Sequence, residues 1–180
     1  MTIALLILDL QVGNFVESAP IFQGDLLLEN TKKILYEARK ANCKVIYIQN
    51  MGGKDDPDEP GSEGWEIHPK IKPQMKESIL QKTTPDSFHK TNLDKLLKSM
   101  STKEVIVLGL QTEYCIDTTI RRAFSLGYNV TLVKDCHSTW SSKNLSASQI
   151  IDHHNSILDG YFAKLTSADE LLLKLSTIHS

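Results

Sequence analysis

At 180 residues, 41% hydrophobic and 23% charged, the chain suits one globular domain spanning residues 1–180 and large enough to bury a continuous core. A net charge of -2 and a pI near 6.3 leave no basic footprint, which argues against a nucleic-acid partner. Cys43, Cys115 and Cys136 are odd in number and lack CxxC spacing, which argues against a disulfide framework and a zinc site.

The chain opens on an apolar run, Ile3 to Leu8, that suits a strand buried on both faces of a sheet. The run is too short for a membrane span and has neither a basic leader nor a small-residue cleavage site. The expectation is a soluble, reduced, cytoplasmic protein with no membrane partner. Asp25 to Ala41 carries Leu26, Ile34, Leu35 and Ala38 at helical spacing, and Lys44 to Gln49 reads as the second strand. Met51 to Lys76 is rich in Gly and Pro, and a loop that long in one domain is usually a lid or binding loop. Ser78 to Gln81 is a third strand, Leu93 to Met100 a helix, and Glu104 to Leu108 a fourth strand leading into a helix over Thr112 to Leu126. Asn129 to Val133 is a fifth strand, Ser146 to Leu158 a helix, Tyr161 to Ala163 a weak last strand, and Ala168 to Leu175 a closing helix. The alternation predicts an α/β fold, a parallel sheet with helices on both faces.

Ligands of such sheets bind beyond the carboxyl ends of the strands. The residues that follow each strand therefore carry the functional reading: Asp9, Gln49, Lys82, Gln111 to Cys115, and Asp135 to His137. Cys115 lies between a buried strand and a helix start, where free N–H groups favour an anion and can lower a thiol pKa from about 8.5 to roughly 3.5–7.5. The same N–H groups suit an oxyanion. The competing reading makes Cys115 a small core residue, a role that fits Cys43 and Cys136 better. Asp9, after six apolar residues, needs a partner if buried and is the natural general base, although loop ordering is a common role for such an Asp. Lys82 carries little weight alone, but it would keep Asp9 ionised and the thiolate stable.

These residues resemble the isochorismatase-like cysteine hydrolases, a family that includes nicotinamidases, carbamoylsarcosine and ureidoacrylate amidohydrolases, and streptothricin hydrolase. The resemblance covers nearly the whole chain. It is carried by Ala4-Leu-Leu-Ile-Leu-Asp9-Leu-Gln11, Gly61-Ser-Glu-Gly-Trp-Glu-Ile-His-Pro69, Lys82 with Asp86-Ser-Phe88, and Gly109-Leu-Gln-Thr-Glu-Tyr-Cys115-Ile. Gly127-Tyr-Asn-Val and Asp135-Cys-His-Ser follow where the family has similar segments. The resemblance implies a Rossmann-like three-layer α/β/α fold with a six-stranded parallel sheet and an Asp9-Lys82-Cys115 triad. It further implies a cis peptide between Leu110 and Gln111, oxyanion donors at the backbone of Gln111 and Cys115, and a homodimer or larger assembly. Gln49 to Pro57 lacks the histidines with which nicotinamidases bind a metal, so neither metal nor cofactor is expected, and nicotinamide is disfavoured. Isochorismatases proper hydrolyse a vinyl ether without a nucleophilic cysteine, and Cys115 disfavours that reaction.

The reading that follows is hydrolysis of a small-molecule amide, ureide or lactam C–N bond through a Cys115 thioester. The rivals are a non-catalytic ligand-binding or redox-reactive thiol protein, and vinyl-ether hydrolysis on the same fold. Gln11, Phe15, Gln49, Trp65, His68, Phe88, Tyr114 and His137 are candidates for lining the substrate pocket. Asp152-His153-His154 reads as ordinary helix, because adjacent side chains on a helix diverge.

Overall fold

A strand that is apolar from Ile3 to Leu8 needs a core on each face, and β1 (Thr2–Leu8) has both. Ala4, Leu6 and Leu8 enter one core with Val105, Val107, Ile46 and Ile48, while Leu5 and Ile7 enter the other with Ile106, Leu108, Val45 and Tyr47. The alternation is the period-two side-chain geometry of a strand. The computed structural model describes residues 2–178. Its six strands, β1, β2 (Lys44–Asn50), β3 (Ser78–Lys82), β4 (Thr102–Leu110), β5 (Asn129–Ser138) and β6 (Lys164–Thr166), form one parallel sheet in the order β3-β2-β1-β4-β5-β6.

Helices α1 (Gly24–Lys40) and α5 (Ala168–Thr177) cover one face, and α2 (Leu93–Ser99), α3 (Asp117–Ser125) and α4 (Ala147–Leu158) the other. The architecture is three-layer α/β/α. Ser146 and Ser167 start α4 and α5 with reciprocal capping boxes to Gln149 and Glu170, satisfying N–H groups that the helices cannot. The chain winds outward from β1 to β3 and then returns to place β4 on the other side of β1. The carboxyl ends of β1 and β4 therefore flank the point where the winding reverses, the usual binding crevice of such sheets.

Three elements differ from expectation. The helix over Thr112 to Leu126 opens with a wide turn, Thr112–Ile116, in which Ile116 N–H donates to Gln111 C=O at 3.1 Å, and regular helix begins only at Asp117. β5 extends to Ser138 through a register shift against β4, so Asp135 to His137 lie within the strand rather than after it. The last strand is Lys164–Thr166, because Tyr161 and Phe162 belong to a turn closed by N–H groups of Phe162 and Ala163 on Leu158 C=O, and both rings pack on Phe124.

The Met51 to Lys76 loop is fastened rather than free. Val12 N–H donates to Glu66 C=O and His68 N–H to Leu10 C=O, both at 2.9 Å, and two short turns, Glu63–Trp65 and Pro69–Ile71, stiffen it. Among the described residues no helix is long and apolar enough to cross a membrane.

Candidate active site

Asp9 follows β1 in a left-handed backbone conformation (φ 52°), which Asp tolerates better than most residues. Its N–H continues the ladder to Ile48 C=O at 2.9 Å, and Asn14 Nδ2 donates to its carbonyl at 2.8 Å. Lys82 ends β3, two strands from β1 and so roughly 10 Å away at about 4.8 Å per strand. Only a long side chain bridges that gap, and Lys82 Nζ reaches Asp9 Oδ2 at 2.8 Å with its own side chain fully buried. The same ammonium donates to Cys115 Sγ at 3.2 Å and to Asn50 Oδ1 at 3.4 Å. Its three protons thus have three acceptors. Asp9 and Lys82 are buried, whereas Cys115, in the wide turn after β4, is half-buried. Cys115 is thus the least buried of the three.

The electrostatics correct one expectation. Burial, then the negative charge of Asp9, push the Cys115 thiol up to about 12, and Lys82 only partly opposes them. The expected lowering fails because burial and the Asp9 charge together outweigh Lys82. Burial also raises the Asp9 carboxyl, against the pull of Lys82. Burial works against charge on Lys82, but Asp9 and Cys115 outweigh it and hold the ammonium above its ordinary range. The resting site therefore carries an ammonium and a protonated thiol. Asp9 Oδ1 is buried with no other group bonded to it, and the Cys115 thiol lies within hydrogen-bond reach of the Asp9 carboxyl.

The Leu110–Gln111 peptide is cis. The Gln111 side chain donates to Glu113 Oε1 at 2.8 Å and to Thr139 Oγ1 at 3.0 Å, so its amide braces the turn that carries Cys115.

The pocket candidates lie in different places, five of the eight lining cavities. Gln11 is fully buried: its Nε2 donates to the carbonyls of Asn50 and Trp65, each at 3.0 Å, and its Oε1 accepts from Asn50 N–H at 2.8 Å. Gln49 donates to Trp65 C=O at 2.9 Å and, with Trp65, lines a cavity of about 670 Å³ beside β3. Phe88 stacks on Tyr128 within the core. Phe15 and His68 meet edge to face in a second cavity of about 260 Å³. His137 borders a third, of about 340 Å³, near α4. None of the three cavities is lined by Asp9, Lys82 or Cys115. Tyr114 is exposed beside Cys115.

His137 sits between Thr112 Oγ1 at 2.9 Å and Asn155 Oδ1 at 3.0 Å. Asn155 accepts through that oxygen, so Nε2 carries the proton and Nδ1 accepts from the Thr112 hydroxyl. Burial, aided by His154, pulls His137 down to about 4, against the Asn155 bond. A histidine depressed on folding is protonated first in the unfolded chain, so stability falls as pH drops below about 6.5. The loss reaches roughly 3 kcal/mol by pH 4. Urea unfolding at pH 7 and pH 4.5 is expected to show a smaller acid loss for His137→Gln than for the native chain. Equal losses would mean that His137 is charged in the folded protein.

Asn50 and Asp58 beside this cluster have no place among the sequence expectations, and Glu113 has one only as part of Gln111 to Cys115. Asn50 ends β2 and holds Lys82, and the rule that singled out Gln49 extends to it by one position. Asp58 reaches Asn50 from the loop, with no sequence signal to mark it. Glu113, inside the cysteine motif, keeps Oε2 buried without a partner.

An isochorismatase domain model matches residues 3–170. Streptothricin hydrolase of Streptomyces noursei is 34% identical over 137 residues, covering 76% of this chain and 50% of that protein. The match thus spans about half the length of that relative. The isochorismatase family protein YddQ of Bacillus subtilis (strain 168), itself uncharacterized, is 29% identical over 179 residues, 96% of this chain and 99% of its own. A solved structure of an isochorismatase family protein has a TM-score of 0.86 at 30% identity, covering 92% of this chain and 98% of that one. With the domain matched almost from end to end and the same fold around it, this chain belongs to the isochorismatase family.

Proposed function

We propose that the protein is a cysteine-dependent hydrolase of a small-molecule C–N bond in an amide, ureide or lactam. The observation that carries this reading is the Lys82 ammonium bonded at once to the Asp9 carboxylate and the Cys115 sulfur, with Cys115 the least buried of the three. An ion pair placed only for stability gains nothing from holding a thiol, since buried pairs contribute little net stability. The name of the streptothricin hydrolase relative supports hydrolysis, and the histidine-free stretch after β2 favours a substrate other than nicotinamide.

In the proposed reaction, Asp9 Oδ1 takes the Cys115 proton as the sulfur attacks the carbonyl carbon. The carbonyl oxygen becomes an oxyanion held by the backbone N–H groups of Gln111 and Cys115. Asp9 returns the proton to the leaving nitrogen, the C–N bond breaks, and a thioester remains on Cys115. Water then attacks the thioester, giving its proton to Asp9, and the acid departs as the thiol is restored. Lys82 stays an ammonium throughout and balances the charge that passes between Asp9 and the sulfur. With the resting thiol protonated, proton transfer coincides with attack.

The test is ammonia or amine release from a panel of primary amides, ureides and lactams, with intact-mass detection of the acyl group on Cys115. Cys115→Ala is expected to cut turnover by at least about 10⁴-fold, as for other lost nucleophiles. Turnover that survives this change would instead point to vinyl-ether-type chemistry. A chain that hydrolyses nothing on the panel while Cys115 oxidises reversibly would favour the thiol-sensing alternative.

A further inference from the structure

Asn50 has no polar group to spare. Its N–H and C=O are held by Gln11, with Trp65 Nε1 also donating to the carbonyl at 3.0 Å. Its side-chain Nδ2 donates to Asp58 Oδ2 at 2.6 Å, and its Oδ1 accepts from Lys82 Nζ at 3.4 Å. An asparagine amide can lie either way round, and the neighbours decide which. A carboxylate only accepts and an ammonium only donates. With Asp58 on one side and Lys82 on the other, the observed orientation makes two bonds, whereas the flipped one sets like against like twice.

The loop is shaped to bring Asp58 there. Gly52 N–H donates to Asp58 C=O at 3.0 Å, and a Cβ on Gly52 would lie 2.1 Å from Asp58 Oδ1, so any larger residue would displace the carboxylate. The Lys82 ammonium has three protons and three acceptors, of which Asn50 is the one outside the Asp9–Cys115 pair. Three groups then bear on the Asp9 carboxylate: Lys82 from β3, Cys115 from the turn after β4, and Asp58 from the loop.

We propose that Asp58 is a positioning residue for the reaction: by orienting the Asn50 amide, it fixes the Lys82 ammonium between Asp9 and Cys115. This extends the amide-hydrolase reading and rests on it for its functional meaning. It also gives the Met51 to Lys76 loop a part in the chemistry without contact with the reacting atoms.

The test reads the Lys82 ammonium directly, by ¹H–¹⁵N correlation of its NH₃⁺ group in the full chain without substrate. The native protein is expected to show a resolved Lys82 signal in slow exchange with water. Asp58→Ala and Asn50→Ala are each expected to speed that exchange at least fivefold, with the double variant no faster than Asn50→Ala alone. On an amide substrate, Asp58→Ala is expected to lower kcat about tenfold with KM within twofold. Should Asp58→Ala not fold, Asp58→Asn, which keeps an acceptor but loses the charge, is expected to speed exchange two- to threefold. Native exchange in the variant that folds, or additive effects in the double variant, would overturn the inference. A chain that hydrolyses no amide but shows the exchange changes would defeat the hydrolase reading and leave the Asp58–Asn50–Lys82 linkage standing.

Discussion

Asp9→Asn is expected to reduce hydrolysis by on the order of 10³-fold while making Cys115 more reactive toward iodoacetamide. The two effects part because Asp9 acts on the thiol in opposite senses. As the base it removes the proton during attack, but as a resting negative charge it disfavours the thiolate. Of the two causes that push the thiol up to about 12, burial is the larger and Asp9 the second, and only Lys82 opposes them among charged groups. At pH 8 the native thiolate fraction is therefore on the order of 10⁻⁴, and labelling should rise about tenfold per pH unit from 6 to 9 without a plateau. Asparagine keeps the shape, deletes the charge and leaves the Lys82 ammonium beside the sulfur. Labelling at pH 8 should then be faster by about tenfold, one pKa unit of thiol lowering. Lys82→Met should move it the other way. Site-resolved mass spectrometry of Cys43, Cys115 and Cys136 reads all three rates. A native plateau near pH 7 would mean that the helix start outweighs burial, and slower labelling in Asp9→Asn would mean that Asp9 already holds the thiol proton at rest.

The largest loss of stability is expected from Gly109→Ala. Gly109 lies in β4 beside Leu8 at φ 123°, and a Cβ there would sit 2.1 Å from Leu8 O and 2.8 Å from Leu8 N. Those atoms are backbone, so relief requires β1 and β4 to separate at the residue before Asp9. Overpacking costs about 1–3 kcal/mol and a positive φ at a non-glycine residue about a further 1–3, giving about 2–6 kcal/mol in all. That is a large share of a typical domain's stability of roughly 5–15 kcal/mol. Gly127→Ala provides the contrast: φ is 86°, but nothing lies within 4 Å of the added carbon, so only the conformational cost of about 1–2 kcal/mol remains. Urea unfolding of the two variants separates sterics from conformation. Similar losses would mean that the sheet yields at this point without cost.

How far the sequence reaches is clearest at individual residues. The run Ile3 to Leu8 could be assigned because an apolar residue at every position has one solution in a sheet, burial on both faces, and the alternation between two cores is that solution. The helices over Ser146 to Leu158 and Ala168 to Leu175 were equally legible, and the structure starts each on a capping box. Asp9, Lys82 and Cys115 could be singled out because the carboxyl ends of strands converge in this class of fold. The last strand lies beyond Tyr161 to Ala163 because, although Tyr161 and Phe162 carry β propensity, the turn that captures them is closed by Leu158 C=O and by Phe124 across the chain. That Gln11 and Gln49 both hold the backbone of Trp65 is not legible in sequence, because a strand-end amide looks the same whether it meets a ligand or a carbonyl.

What only the tertiary structure decided is the electrical state of the site and who stands behind it. A thiol's pKa depends on how much water surrounds it and on the sign of charges a few ångströms away, and residues 9, 50, 58, 82 and 115 are distant in sequence. Strand pattern and motif determined which side chains meet at the end of the sheet. Burial and the order in which charges face one another determined that Lys82 is held by three acceptors, that Cys115 rests protonated, and that Asp58 reaches the cluster through Asn50.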